Sequence, residues 1–182
     1  MGFEANCKLS ENAKKNPKKI NYTTSGTNGV THLVAEIFSH EAGIQWSHIP
    51  EKGSGPAVTA LLGGHVELSS AAVASVLSHV RSGALRPLAV FGNARLKAFP
   101  DVPTLKELGY RIESPALYGI LAPQGTPKEV VDTIFSAAQK ATEKYQTQIA
   151  ENLSVFGSQI QLLGPKEYAE YLAGQRTLFT NA

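Results

Sequence analysis

A single cysteine, Cys7, stands among 182 residues. It excludes an intrachain disulfide and a metal site built on cysteines. Charge is sparse as well: 18% of residues are charged and the formal net charge is +2. That balance is too small to argue for nucleic acid, and no basic cluster is interleaved with aromatics. The basic run from Lys14-Lys15 to Lys18-Lys19 brackets Asn16-Pro17 and is explained as a solvated helix end. No apolar run approaches the roughly 20 residues that a membrane-spanning helix needs. The opening Met-Gly-Phe-Glu-Ala-Asn has no basic region followed by an apolar one, so no secretion signal is read in this chain.

Catalytic signatures are missing too. No Gly-x-Ser-x-Gly elbow follows a strand, no Gly-Lys-Ser/Thr closes a phosphate loop, and no dinucleotide fingerprint occurs. The five histidines, His32, His40, His48, His65 and His79, include no His-x-His and no zinc-protease helix pair. No metal site and no cofactor are expected from them. The acids are scattered, and Glu51, Glu67 and Asp101 read as solvated. What remains is a hydrophobic content of 42% and a length that suits one domain or one and a half, with a core needing no staples.

The informative stretch is Tyr22 to His32. The β-prone run Lys19 to Tyr22 leads into Thr24, Ser25, Gly26, Thr27, Asn28 and Gly29, and an amphipathic pattern follows at Val30, Leu33, Val34, Ile37 and Phe38. A strand, a glycine- and hydroxyl-rich loop and a helix N-terminus expose unpaired N–H groups at the positive end of a helix dipole. Their natural partner is an oxyanion. Taken alone, the same residues are explained by turning and capping a helix.

Two more junctions of the kind follow. Ile44 to Ile49 alternates at period two and predicts a half-buried strand, and Gly53-Ser54-Gly55-Pro56 then opens a helix from Ala57 to Leu62. His65 to Leu68 reads as a short strand, after which Ser69-Ser70 is expected to cap a helix bearing Val73, Val76, Leu77 and Val80. Residues 9–15 read as the end of a helix stopped at Asn16-Pro17, and Gly43 suits the position just past the second helix. Leu85 to Phe91 and Ala116 to Ala122 are expected as strands, and Thr104 with Glu107 as the capping box of a short helix stopped by Gly109. Thr126-Pro127-Lys128-Glu129, with Thr126 at the N-cap, and Gly164-Pro165-Lys166-Glu167 predict two C-terminal helices. Alternation of strands and helices implies an α/β fold with a mainly parallel sheet, whose ligands gather at the carboxyl ends of its strands. If the strands are adjacent, three helix N-termini converge there. Donors abound to hold an anion, with no evident apparatus to change one.

Several motifs in order resemble the extracytoplasmic solute receptors of tripartite tricarboxylate transporters, the Bug receptors. They are Asn16-Pro17 with Tyr22, the Ser/Thr-Gly loop with Gly29 and His32-Leu33, Ala42-Gly43-Ile44, and Ile49-Pro50 with Lys52-Gly53-Ser54-Gly55-Pro56. Ala60 to Val66, Ser82 to Arg86, Leu88-Ala89-Val90, Arg95, Pro100 to Thr104, Glu107-Leu108-Gly109, Gly119, Ala122-Pro123 and Gly125-Thr126-Pro127 follow. The resemblance implies a periplasmic-binding-protein-like fold of type II, in which two domains close over a small carboxylate. Residues 1–124 would be the second domain, and 125–182 helices that cross back toward a first domain lacking here.

The ligand-binding residues implied are Thr24, Ser25, Gly26, Thr27, Asn28, Gly29 and His32, then Gly53, Ser54, Ser69 and Ser70. The ligand expected is a di- or tricarboxylate or an amino acid, and the partners are membrane transporter subunits, in a periplasmic or other extracytoplasmic setting. Glu51 stands where the family often has an aromatic residue, which favours a ligand carrying an amine. With the first domain absent, the apolar faces of the C-terminal helices are expected to drive homo-oligomers. Two other readings stay open: a truncated half that only self-associates, and, ranked last, an enzyme on an anionic substrate whose base near Ser25 would be His32 or a residue distant in sequence.

Overall fold

The computed structural model describes residues 2–92, 94–110, 112, 119–155 and 160–180, with side chains described from Leu9, to Ser154 in the helix that ends at Val155, and to Gly174 in the last helix. The chain divides into two compact units, Met1–Ala116 and Leu117–Ala182. The first opens with α1 (Gly2–Lys15), whose last turn is basic and whose end precedes Asn16-Pro17, as expected. Then follow β1 (Asn21–Thr24), α2 (Val30–Ala42), β2 (Ser47–Pro50), α3 (Ser54–Leu62), β3 (Leu68–Ser69) and α4 (Val73–Arg81).

The three strands form one parallel sheet in the order β2-β1-β3. Tyr22 lies opposite His48 on one side and opposite Leu68 on the other. β1 is therefore central, and Tyr22, Thr23 and Thr24 are almost wholly enclosed. The chain leaves β1 for β2 on one side and returns past β1 to reach β3 on the other. The strand order thus reverses at the carboxyl end of β1, where α/β sheets bind ligands.

α2 is helical because its apolar residues recur at the helical period: Val34, Ala35, Phe38 and Ala42 are buried. Phe38 meets Trp46 at 5.5 Å and Tyr110 edge-on at 5.0 Å between ring centroids. It joins Ala13, Ile20, Ala42, Ile44, Leu105 and Ile112 in the main core, where a side chain of its size contributes about 2 kcal/mol by burial. A second cluster of Leu96, Phe99 and Val102 packs against Val73, Leu77 and Val80 of α4. Gly43 ends α2 at φ 61°, with its N–H donating to His40 and that of Ile44 donating to Ser39. This is the crossed pair of bonds for which a left-handed residue is needed.

Several expectations are corrected. α4 starts at Val73 with Ala72 at its N-cap, so neither Ser69 nor Ser70 caps it: Ser69 is in β3 and its hydroxyl donates to the Thr23 carbonyl. Residues 85–91 form no strand. Pro87 removes a donor from the run, and a lone parallel bridge links Val90 to Thr104. The Thr104–Glu107 capping box does form, each residue's N–H donating to the other's side chain, at 2.8 and 3.1 Å. It opens turns and no helix, because Gly109 at φ 92° stops the chain after one turn. Of the strand expected over 116–122, residues 116–118 lie outside the described residues, and 119–122 form no regular element.

The second unit consists of α5 (Lys128–Lys144), α6 (Gln146–Val155) and α7 (Pro165–Thr180). Pro127 is the N-cap of α5, because the Thr126 hydroxyl turns back to the Pro123 carbonyl. The Glu167 carboxylate accepts the Gly164 N–H at 2.9 Å, as the sequence predicts for α7. α6 was not expected. Among the described side chains of this unit none is buried, and Ile120 and Leu121 are each 74% exposed.

Two predictions follow from these contacts. A Cβ on Gly43 would meet nothing within 4 Å, so Gly43→Ala tests the left-handed conformation alone. Urea unfolding should record a loss of about 1 kcal/mol. Glu107, through Arg95, which donates from Nε at 3.0 Å, and then through the Thr104 N–H, is held below its ordinary pKa. A carboxylate depressed in the folded state contributes stability above its unfolded value and loses it as pH falls through the folded one. The stability difference between the natural chain and Glu107→Gln should therefore be full at neutral pH and vanish in acid. A difference independent of pH would contradict this.

Candidate functional site

The carboxyl ends of β1 and β2 are hydrogen-bonded to each other's loops. The Glu51 N–H donates to the Thr24 carbonyl and the Gly53 N–H to the Ser25 carbonyl, each at 3.1 Å. On the other side the Ser70 N–H donates to the Thr23 carbonyl at 3.1 Å. All three junctions singled out in the sequence therefore meet on one edge of the sheet. The loop of residues 25–29 is shaped by Thr24, whose hydroxyl donates to the Gly26 carbonyl at 2.8 Å and accepts the Gly26 N–H at 3.3 Å. Gly26 at φ 149° and Asn28 at φ 60° complete the turn.

Helix capping does not use the polar residues here. Gly29, Gly53 and Ala72 are the N-caps of α2, α3 and α4, and none of these helices has a side-chain cap bond. The Ser25 hydroxyl meets Thr31 Oγ1 at 3.3 Å instead. Consequently the N–H groups of Thr27, Gly29, Val30 and Thr31, and of Ser54 and Gly55 on α3, find no acceptor among the described residues. Ser69 turns its hydroxyl into the sheet, and Ser70 is buried. Of the residues named from sequence, those at positions 24–29, His32, Gly53 and Ser54 are gathered at the first two junctions. Ser69 and Ser70 reach the third mainly through backbone.

A stack of rings backs the loop, and it was not legible as a unit in the sequence. His32 and His48 lie 4.1 Å apart between centroids, His48 and Tyr22 4.8 Å, and Tyr22 and Trp46 4.7 Å. The signal available was the period-two pattern of residues 44–49, which puts Trp46, just before β2, and His48, within it, on one face. His48 Nε2 is 2.8 Å from Thr24 Oγ1. The Thr24 proton is directed to the Gly26 carbonyl, so Nε2 is best satisfied as the N–H that donates to Thr24. Burial, then the neighbouring His32, holds His48 below the usual histidine pKa. The Tyr22 hydroxyl donates to Glu36, and burial followed by that bond raises its pKa far above the usual phenol value, so it stays neutral.

His32 Nδ1 accepts the Asn28 N–H at 3.3 Å, and its Nε2 lies 4.0 Å from Glu36 Oε1. His32 is thus engaged with the loop backbone, and no imidazole or carboxylate among the described residues is bonded to the Ser25 hydroxyl. Among the described residues no cluster of three or more metal-ligating side chains occurs, and no helix is long and apolar enough to cross a membrane. The arrangement can receive a negatively charged group at two helix N-termini on a rigid sheet edge.

A Cupriavidus necator protein described as the UPF0065 protein in the gbd 5′ region is 37% identical over 161 residues, covering 88% of this chain and 48% of the relative. A solved structure described as a periplasmic transporter superposes with a TM-score of 0.86 at 36% identity, covering 95% of this chain and 57% of that one. Rhodopseudomonas palustris Rpa4515 with adipate, at 22% identity and a TM-score of 0.83, shares the fold over 96% of this chain and 58% of that one. The chain spans about half the length of the curated relatives it matches. Its parallel α/β fold is that of periplasmic-binding-protein-like structures. The model of the tripartite tricarboxylate transporter family receptor matches residues 6–177, and with it the motif order, the switch-point loops and the superposition agree: this chain belongs to that receptor family.

Proposed function

We propose that the chain is the second, ligand-loop domain of a solute-binding component that captures a small organic carboxylate without chemical change. It would then present the carboxylate to membrane transporter subunits in the periplasm. The observation that carries this reading is the set of uncommitted N–H groups at the starts of α2 and α3, held together by the Gly53–Ser25 bond. A carboxylate accepts several such donors in the favourable field of two helix dipoles. The adipate in the related fold is a ligand of the same class. In this reading 125–182 cross to a first domain that supplies the other wall of the cleft.

One wall alone binds weakly, so the test is an NMR titration of the labelled chain with adipate to millimolar concentration. Amide shifts are expected at Thr27 to Thr31 and at Ser54-Gly55, reduced by Gly29→Pro, which bars one donor. Shifts scattered over the surface, or none, would refute the reading.

A second reading, self-association, is favoured by the second unit: Val130, Ile134, Tyr145 and Leu172 are substantially exposed, and no described side chain there is buried. Exposed apolar surface of that kind favours association. Sedimentation should find dimers or larger species at micromolar concentration, converted toward monomer by Val130→Glu with Ile134→Glu. A natural chain that stays monomeric would exclude it.

A further inference from the structure

We propose that His32 couples carboxylate capture to the uptake of one proton, so that the loop is a proton-linked anion site. The inference rests on the carboxylate reading above and deepens it. The Asn28 N–H points away from any ligand because His32 Nδ1 accepts it. An imidazole nitrogen accepts only while it carries no proton. When a solvent proton lands on Nδ1 the bond breaks, the Asn28 N–H is released to the loop mouth, and a positive charge arises beside the α2 N-terminus. Both changes favour an anion there. A carboxylate in the loop in turn stabilises the charged imidazole, since linkage is reciprocal.

Charged and titratable groups from α2, β1 and β2 surround the His32 ring. From α2 itself Glu36 Oε1 faces Nε2 at 4.0 Å. From β1, Tyr22 donates to the same carboxylate and holds it in place. From β2, His48 stacks on His32 at 4.1 Å, so two charged rings would repel, and burial disfavours protonation of His48. The proposed proton belongs to the ring whose Nδ1 touches the loop. His32 acts as a positioning residue through Asn28.

The experiment is an NMR titration of the labelled full chain, with and without adipate, at about pH 8 and about pH 6.5, spanning the onset of histidine protonation. In the free chain the Asn28 amide shift should follow the titration of the His32 ring. Adipate should bind several-fold more tightly at the lower pH, up to about tenfold per pH unit for one linked proton. His32→Gln keeps an acceptor for Asn28 but cannot take the proton, so its adipate affinity should be independent of pH. His48→Gln should retain the dependence. Adipate bound equally at both pH values by the natural chain, or an Asn28 amide indifferent to His32, overturns the coupling and leaves the carboxylate reading intact. Absence of adipate binding at either pH removes the carboxylate reading and the coupling with it.

Discussion

The hydroxyl of Thr24 is the contact on which the site depends. It is the last residue of the central strand, has no exposed surface, and bonds both the N–H and the carbonyl of Gly26. A turn that closes on a buried side chain cannot drift, because moving it would leave a polar group unpaired inside the protein, at roughly 1–3 kcal/mol. The same oxygen meets His48, so the loop, the central strand and its neighbour are joined at one atom. Everything beyond it inherits that rigidity: the start of α2, the Ser25 carbonyl that takes the Gly53 N–H, and through it the start of α3.

This rigidity explains a division of labour among polar residues. In most βα loops hydroxyls cap the helix and use up its free N–H groups. Here they bond within the loop or to the sheet, and the caps are two glycines and an alanine. Glycine at a cap leaves donors open and lets a ligand approach the backbone. The ring stack runs from Trp46 through Tyr22 and His48 to His32, with Tyr22 buried and the other three half-buried. The open helix starts and the rings of Tyr22 and His48 are thereby brought together by one strand pair.

The two units differ in kind. The first encloses Phe38, Leu105 and Ile112 with its own residues, whereas the second presents amphipathic helices with no buried side chain among those described. An amphipathic helix gains most of its stability from the surface it covers. The second unit leaves apolar side chains such as Val130, Ile134 and Leu172 open to solvent.

Much was legible in sequence because it is local. The hydrophobic period of α2, the glycine that ends it, the Thr104–Glu107 box and the start of α7 at Pro165 follow from residues within a few positions of one another. Order and spacing of the loops were enough to resemble a receptor family. Failures came where a distant partner decides. Residues 85–91 have a strand's composition but no neighbour to pair with beyond Thr104, and Ser69 prefers the Thr23 carbonyl, 46 residues away in sequence, to a helix cap. The sequence by itself determined the α/β class, the helix signals and the donor-rich loops. Only the tertiary structure decided that His32 stacks on His48, that His48 meets Thr24, and that Gly53 gives its N–H to Ser25. Those features depend on which strand lies beside which, and a parallel register is set by packing between segments that no local pattern specifies.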